Sequence, residues 1–308
     1  MISDIRGLHH VTLLASDAQR NNRFFTNVLG QRRIKKTVNF DAPQVYHLYY
    51  GNDIGAPGGV ITYFPFPDAA RGTSGSGEVS QTEYAVPPGS LPFWTDRLAE
   101  HGVDPVTLDM LFGEPCLRFA GPDGEALALV ETPDDRRDPA TGGDIAPECA
   151  LRGFRGARLR LRDPGATADL LRFMGYREAA RDGPLTRFVL DAGNGADRLD
   201  LEHVPGAGDA QQGAGSVHHI AFSVPDLAAQ ARVRAALVSQ GFKVTDAIDR
   251  DYFWAVYFRS PGGVLFEVAT DTPGFDRDEP RDHLGEALKL PTQHEHLRGW
   301  LETHLPPL

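Results

Sequence analysis

Leu8-His9-His10-Val11-Thr12 and Val217-His218-His219-Ile220-Ala221 place the same motif, a histidine pair entering an apolar strand, near the two ends of the chain. Adjacent strand residues point to opposite faces, so each pair is split by its own backbone. His10 and Thr12 share one face, opposite His9, Val11 and Leu13. His219, Ala221 and Ser223 share another, opposite the row His218, Ile220, Phe222 and Val224, which suits packing against a core. The small, polar row fits a cavity wall, which makes His10 and His219 the better ligand candidates. A third candidate stands in Val264-Leu265-Phe266-Glu267-Val268, after the turn Pro261-Gly262-Gly263. Glu267 is a carboxylate amid an apolar strand, costly to bury unless paired or bound to a cation. Two histidines and one carboxylate are the donor set of a mononuclear non-haem iron site with open positions.

Outward from these strands the chain repeats itself. Leu8–Asp17 reads strand then turn, followed by a helix around Arg23-Phe24-Phe25 that ends near Gly30; Val217–Asp226, Ala231–Leu237 and Gly241 repeat the order. Weaker copies begin at Gln81–Pro87 and at Phe154–Asp163, closing on Glu125–Val130 and Asp197–Glu202. The reading is four βαβββ units, an α+β protein. Links are expected at Arg71–Gly77, Asp134–Asp144 and Pro205–Gly215. Units one and two form an N-terminal domain over 5–135, and units three and four a C-terminal domain over 150–270. An irregular extension, 271–308, ends in a short helix around Gln293–Thr303. Aligned by their turns, the units offer Gln81 and Gly156 at the second-histidine position, and Ala128 and Tyr63 at the Glu267 position. The ligand set is complete once, which predicts one metal site per chain.

Composition excludes several classes. A formal net charge of -11 argues against generic affinity for nucleic acid or an anionic membrane. Two cysteines, Cys116 and Cys149, suggest no disulfide framework and a reducing, cytoplasmic setting. No apolar run approaches membrane length. A homo-oligomer is compatible with the sequence, which does not specify one.

Gly7–Thr12, Val45–Tyr50, Gly55–Gly58, Tyr84–Ser90, His218–Phe222, Tyr257–Glu267 and, in the tail, Leu288–Pro291 carry a resemblance over almost the whole length. The chain resembles the vicinal-oxygen-chelate (glyoxalase/bleomycin-resistance/extradiol dioxygenase) proteins, and among them the hydroquinone ring-cleaving dioxygenases. The resemblance implies two cups of paired modules and Fe(II) on His10, His219 and Glu267, with Mn(II) or another divalent metal as a substitute. It implies O2 and a small aromatic para-diol as substrates. Thr12, Arg250, Tyr257, His9 and His218 would lie in or near the pocket; for His9 and His218 this conflicts with strict alternation unless a bulge intervenes. In the catechol-cleaving relatives the ligands come from the last two units, but here Gly156 stands where that arrangement needs a histidine. The first and last modules must then share the metal cup. Alternatives are a metal-dependent glyoxalase-type isomerase or lyase, which would want a second carboxylate where Tyr63 was aligned, and a non-catalytic small-molecule-binding protein. His47 matches the family without an evident role, and Phe253, Trp254, Leu111 and Phe112 are candidates to shape the pocket.

Overall fold

The computed structural model describes all 308 residues. Module one comprises β1 (Leu8–Ala15), α1 (Ala18–Arg23), β2 (Arg32–Val38), β3 (Tyr46–Gly51) and β4 (Val60–Pro65). Module two comprises β5 (Glu78–Val86), α2 (Leu91–Glu100), β6 (Thr107–Leu111), β7 (Glu114–Ala120) and β8 (Ala126–Glu131). Module three comprises β9 (Phe154–Leu161), α3 (Gly165–Phe173), β10 (Arg177–Asp182), β11 (Leu185–Val189) and β12 (Arg198–His203). Module four comprises β13 (Val217–Val224), α4 (Leu227–Ser239), β14 (Ile248–Asp249), β15 (Phe253–Arg259) and β16 (Leu265–Pro273). In modules one and four an aspartate ends the strand–turn and caps the helix. Asp17 accepts from the Arg20 amide and Asp226 from the Ala229 amide, satisfying donors that a helix start leaves unpaired.

Sixteen strands form two eight-stranded sheets, ordered β14-β15-β16-β13-β1-β4-β3-β2 and β10-β11-β12-β9-β5-β8-β7-β6. The first and last modules therefore share one curled sheet and the middle two share the other. At each centre the opening strands run antiparallel, β1 against β13 and β5 against β9, while each module's last strand lies parallel to its first. One cluster of 53 buried side chains takes Val11, Leu13, Ile220 and Phe266 from one sheet and Leu129, Leu159 and Leu199 from the other. Two sheets contributing to one core must pack back to back, which leaves their concave faces free to form cups.

The links expected at 71–77 and 205–215 are paired with each other. Thr73 and Gln211 exchange both backbone hydrogen bonds at 2.9 Å, flanked by bridges between Arg71 and Ala214 and between Ser76 and Asp209. The approach is close: a Cβ on Gly75 would stand 2.5 Å from the Gly208 carbonyl oxygen. Glycine is required there by contact.

The chain after Pro273 folds onto the first sheet. Its turns carry Phe275 and Leu284 into a cluster with Ile34, Tyr49, Tyr252 and Phe253, and α5 (Arg298–His304) follows. Lys35, fully buried on β2, places Nζ 2.6 Å from Asp278 and 2.5 Å from Glu279, and 4.7 Å from the centroid of Tyr252. The Glu279 carboxylate also accepts from the Ala287 amide. An ammonium in this position is tolerated only because two carboxylates meet it. We expect Glu279→Ala to cost about 3 kcal/mol in urea unfolding, since it strands part of a buried ion pair. Combining it with Lys35→Met should return much of that loss; a strictly additive double variant would show that the pair does not anchor the tail.

Candidate metal centre

β1 and β13 bring the histidines together. In their antiparallel register Thr12 faces His219 and His10 faces Ala221, and Ala221 in turn pairs with Glu267 on β16. Pairing has therefore placed on one concave face residues whose separation along the chain is 209 positions for the two histidines. His10 Nε2 lies 3.3 Å from His219 Nε2 and 3.5 Å from Glu267 Oε2, and His219 Nε2 lies 2.9 Å from the same oxygen. The three are buried and their donor atoms lie within 4.8 Å of one another.

These distances look like ion pairs, but their alignment does not make hydrogen bonds. Both Glu267 carboxylate oxygens are buried without a hydrogen-bond partner. Burial pushes the Glu267 carboxyl up, yet the two imidazoles together hold it well below the usual carboxylate range. An ionised, unsatisfied carboxylate beside two converging ring nitrogens is a site short of one cation. The donor set fits a metal ion with open coordination positions, and no second group in the molecule offers such a cluster.

Strict alternation fails at the outer histidines, and the failure is informative. The β1–β13 register steps from Leu8/Phe222 to His10/Ala221 and from Thr12/His219 to Leu13/Val217, leaving His9 and His218 as bulged residues on opposite strands. Each bulge turns the outer ring back onto its neighbour: His9 Nδ1 is 2.9 Å from His10 Nδ1, and His218 Nδ1 is 2.7 Å from His219 Nδ1. Burial, then the neighbouring imidazole, lowers His9 to about 3 and His218 to about 4. Neutral outer rings can accept the Nδ1–H of the inner ones, which leaves the inner Nε2 lone pairs facing the common centre.

Around the centre lies a cavity of about 480 Å³ lined by Phe40, Phe64, Phe66, Leu14, Leu265 and Phe253 on its apolar side. Its polar side holds Arg250, Tyr257, His47 and Tyr49 with His10, His218 and His219, while His9 lies behind His10 and outside the lining. Arg250 Nε donates to Tyr257 Oη at 3.2 Å, and its guanidinium stacks 5.1 Å from the Phe40 ring centroid. Burial and Glu267 raise Tyr257 well above the usual phenol value, so it stays a neutral donor. Thr12 is buried beneath the site and accepts from Thr62 at 3.0 Å. Of the side chains expected to shape the pocket, only Phe253 lines it, 5.0 Å from the His10 ring. Leu111 and Phe112 belong to the other sheet, packed with Cys116, Val130 and Leu185, and Trp254 lies outside the cavity.

The register also corrects one alignment. As Ala221 pairs with Glu267, Thr12 pairs with Thr62, so Thr62 and not Tyr63 stands at the Glu267 position of module one. Tyr63 points to the opposite face, where it packs on Phe25 and donates to Glu125 at 3.1 Å. The turn of module one differs by a single residue, and an offset of one flips the face. Gln81 and Ala128 occupy the positions expected, since Glu83 pairs with Ala128 and with Gly156. The second cup is filled by ion pairs instead. Arg187 grips Asp200 through two 2.8 Å bonds and reaches Glu114 at 2.6 Å, and Glu114 also binds Arg155 and Arg198. His47 and Tyr49 went unassigned in the sequence, although period two already put them on one face of Val45–Tyr50.

Because His9 and His218 titrate far below the ordinary 6.5, the unfolded chain binds their protons first as pH falls. Their contribution to stability is full above about pH 6.5 and is lost as pH falls toward about 4 for His218 and about 3 for His9. We expect the melting temperature of the metal-free protein to drop between pH 7 and 5, His9 alone accounting for roughly 2 kcal/mol. His9→Gln should flatten that slope; an unchanged slope would place the titration elsewhere.

Comparison with known proteins agrees with this architecture. Residues 7–268 match the model of the Glyoxalase/Bleomycin resistance protein/Dioxygenase superfamily. MhqO of Bacillus subtilis, provisionally designated a ring-cleaving dioxygenase, is 42% identical over 308 residues, covering 100% of this chain and 98% of its own. The chlorohydroquinone/hydroquinone 1,2-dioxygenase of Sphingobium indicum is 35% identical over 305 residues, 96% and 95% of the two chains. A Bacillus subtilis crystal structure, provisionally described as a dioxygenase, superposes with TM-score 0.96 at 42% identity over 99% and 98% of the chains. Glyoxalase I from Zea mays, at 14% identity and TM-score 0.64 over 87% and 93%, shares the fold. With its paired modules, its register and these relatives agreeing, the chain belongs to the glyoxalase/bleomycin resistance protein/dioxygenase superfamily.

Proposed function

We propose that this protein is an Fe(II)-dependent ring-cleaving dioxygenase acting on hydroquinone-type aromatics with O2. The observation that carries this reading is the Glu267 carboxylate, buried and unpaired beside two imidazoles at the wall of an aromatic-lined cavity. When bound, the metal supplies the Lewis-acid and redox chemistry that dioxygen needs. His10, His219 and Glu267 would hold it, and His9 and His218 would fix the ligand rings through Nδ1. Mn(II) or another divalent ion fits the same donors.

The remaining residues bind and orient. The aromatic and aliphatic wall suits a flat, uncharged ring and excludes water. Tyr257, its oxygen already accepting from Arg250, is poised to donate a proton or hydrogen bond to an oxygen of the substrate. Arg250 stays cationic and stabilises negative charge developing in the cavity. Cleavage of the ring carbon–carbon bond next to one hydroxyl would insert both atoms of O2 and give an acid bearing an acyl or semialdehyde group. The relatives whose names include hydroquinone or ring-cleaving activity support this choice of substrate. A glyoxalase-type isomerase is disfavoured because Thr62, not a carboxylate, faces the site from module one.

The test is oxygen consumption after anaerobic Fe(II) loading, on a panel of para-diols, ortho-diols and monophenols. Uptake with hydroquinones and a ring-opened product are expected. Iron-loaded protein that consumes no oxygen with any diol would sink the reading. Glu267→Ala and His10→Ala should abolish stoichiometric iron binding, whereas His9→Ala or His218→Ala should retain iron with a loss of about 10–100-fold in affinity or rate.

A further inference from the structure

The cavity wall formed by module one holds a hydrogen-bonded column to which the chemistry above gives no work. Tyr49 Oη lies 2.9 Å from His47 Nδ1, His47 Nε2 lies 2.7 Å from Thr62 Oγ1, and Thr62 Oγ1 lies 3.0 Å from Thr12 Oγ1. The column steps from β3 through β4 to β1, across the sheet at cup level. Every member is buried, with Tyr49 1% exposed, yet His47 and Tyr49 line the same cavity as the triad. The His47 ring packs on two others, its centroid 4.0 Å from that of Tyr49 and 4.3 Å from that of Phe64. Beside Phe40, Phe64 and Phe66 in the lining, this satisfied polar chain holds its members in fixed positions.

Its proton order leaves one valence open at the cavity. Burial keeps His47 neutral and Tyr49 protonated, so the imidazole has one donor and one acceptor nitrogen. If Tyr49 donates to Nδ1, then Nε2–H donates to Thr62 and the phenol oxygen keeps free lone pairs. If the order reverses, Nδ1–H donates to the phenol oxygen and Tyr49 O–H is free to donate. Either way both His47 nitrogens are used within the column, and the free hydrogen-bonding capacity on the cavity side belongs to Tyr49 Oη. The column can thus present an acceptor to a neutral hydroxyl or a donor to an ionised one.

Tyr257 and Arg250 serve the other side. Tyr257 pairs with Glu267 across β15 and β16 and its ring lies 5.8 Å from that of His219, beside the triad. Tyr49 sits on β3, separated from the His10 strand by β4. We propose that Tyr49, positioned by His47 and Thr62, receives the substrate hydroxyl remote from the metal, and so selects a diol over a monophenol. This inference rests on the dioxygenase reading for its substrate class. His47 acts only through Tyr49 and is a positioning residue.

The experiment is anaerobic titration of metal-loaded, full-length protein with hydroquinone and with phenol, which lacks the second hydroxyl. Wild type should bind hydroquinone about tenfold more tightly, the effect of one buried neutral hydrogen bond. Tyr49→Phe keeps the ring and should reduce that ratio to within about threefold, through weaker hydroquinone binding and at equal metal content. His47→Ala should shift KM for hydroquinone more than kcat, and His47→Gln, which can still donate and accept, should restore part of the ratio. The proposal is overturned if Tyr49→Phe leaves the ratio intact or weakens both ligands equally. Discrimination in the titration without oxygen consumption would sink the dioxygenase reading and leave the Tyr49 subsite standing.

Discussion

The structure turns on one electrostatic deficit: the Glu267 carboxylate, wholly buried and aligned with no donor. Burying an ionised carboxylate is among the more expensive acts available to a protein, and proteins avoid it by pairing or by binding a cation. Everything near Glu267 arranges for the second answer. Two imidazoles face it through Nε2, and each is held from behind by another imidazole that burial keeps neutral. Ala221, between His10 and Glu267 in the ladder, has no bulk to fill the gap.

The second cup shows what the same scaffold does without that deficit. Its ligand positions read Gln81 and Gly156 for the histidines and Ala128 and Asp200 for Glu267, and Asp200 finds a guanidinium partner. Arg187 holds Asp200 and Glu114, while Glu83, pushed up to about 7 by burial and then by Asp200, accepts from Gln81 at 3.3 Å. Leu111, Cys116, Val130 and Leu185 pack the remainder. Side-chain identity at a few register positions decides whether a cup holds a cavity or is closed by ion pairs.

Much of this was legible in the chain because period-two alternation and internal repetition are strong signals. The repeated histidine pairs placed His10 and His219 on concave faces, and the missing histidine at Gly156 implied that the outer modules share a cup. What could not be read is what depends on offsets of a single residue. The bulges at His9 and His218 break alternation where a uniform strand would put those rings in the core. The Thr62/Tyr63 error has the same origin, since a turn can gain or lose a residue without changing its composition. Arg250, flanked by Asp249 and Asp251, carries the local signature of solvent. Its half-buried place against Phe40 and Tyr257 comes from tertiary packing that no window of sequence reports. The tail that closes around Lys35 was invisible for the same reason, because its partners lie more than 240 positions away.

Joining the first and last modules in one sheet has a temporal consequence for the making of the protein. His10 is translated well before Glu267, so the triad cannot be assembled from any portion of the chain that stops short of module four. The central β1–β13 pairing spans most of the molecule, a high-contact-order step that closes late. Chains that stop short of module four consequently lack the complete donor set for a metal ion. The capacity to gather a metal ion is deferred until module four has been added, a delay written into the order in which the modules are translated.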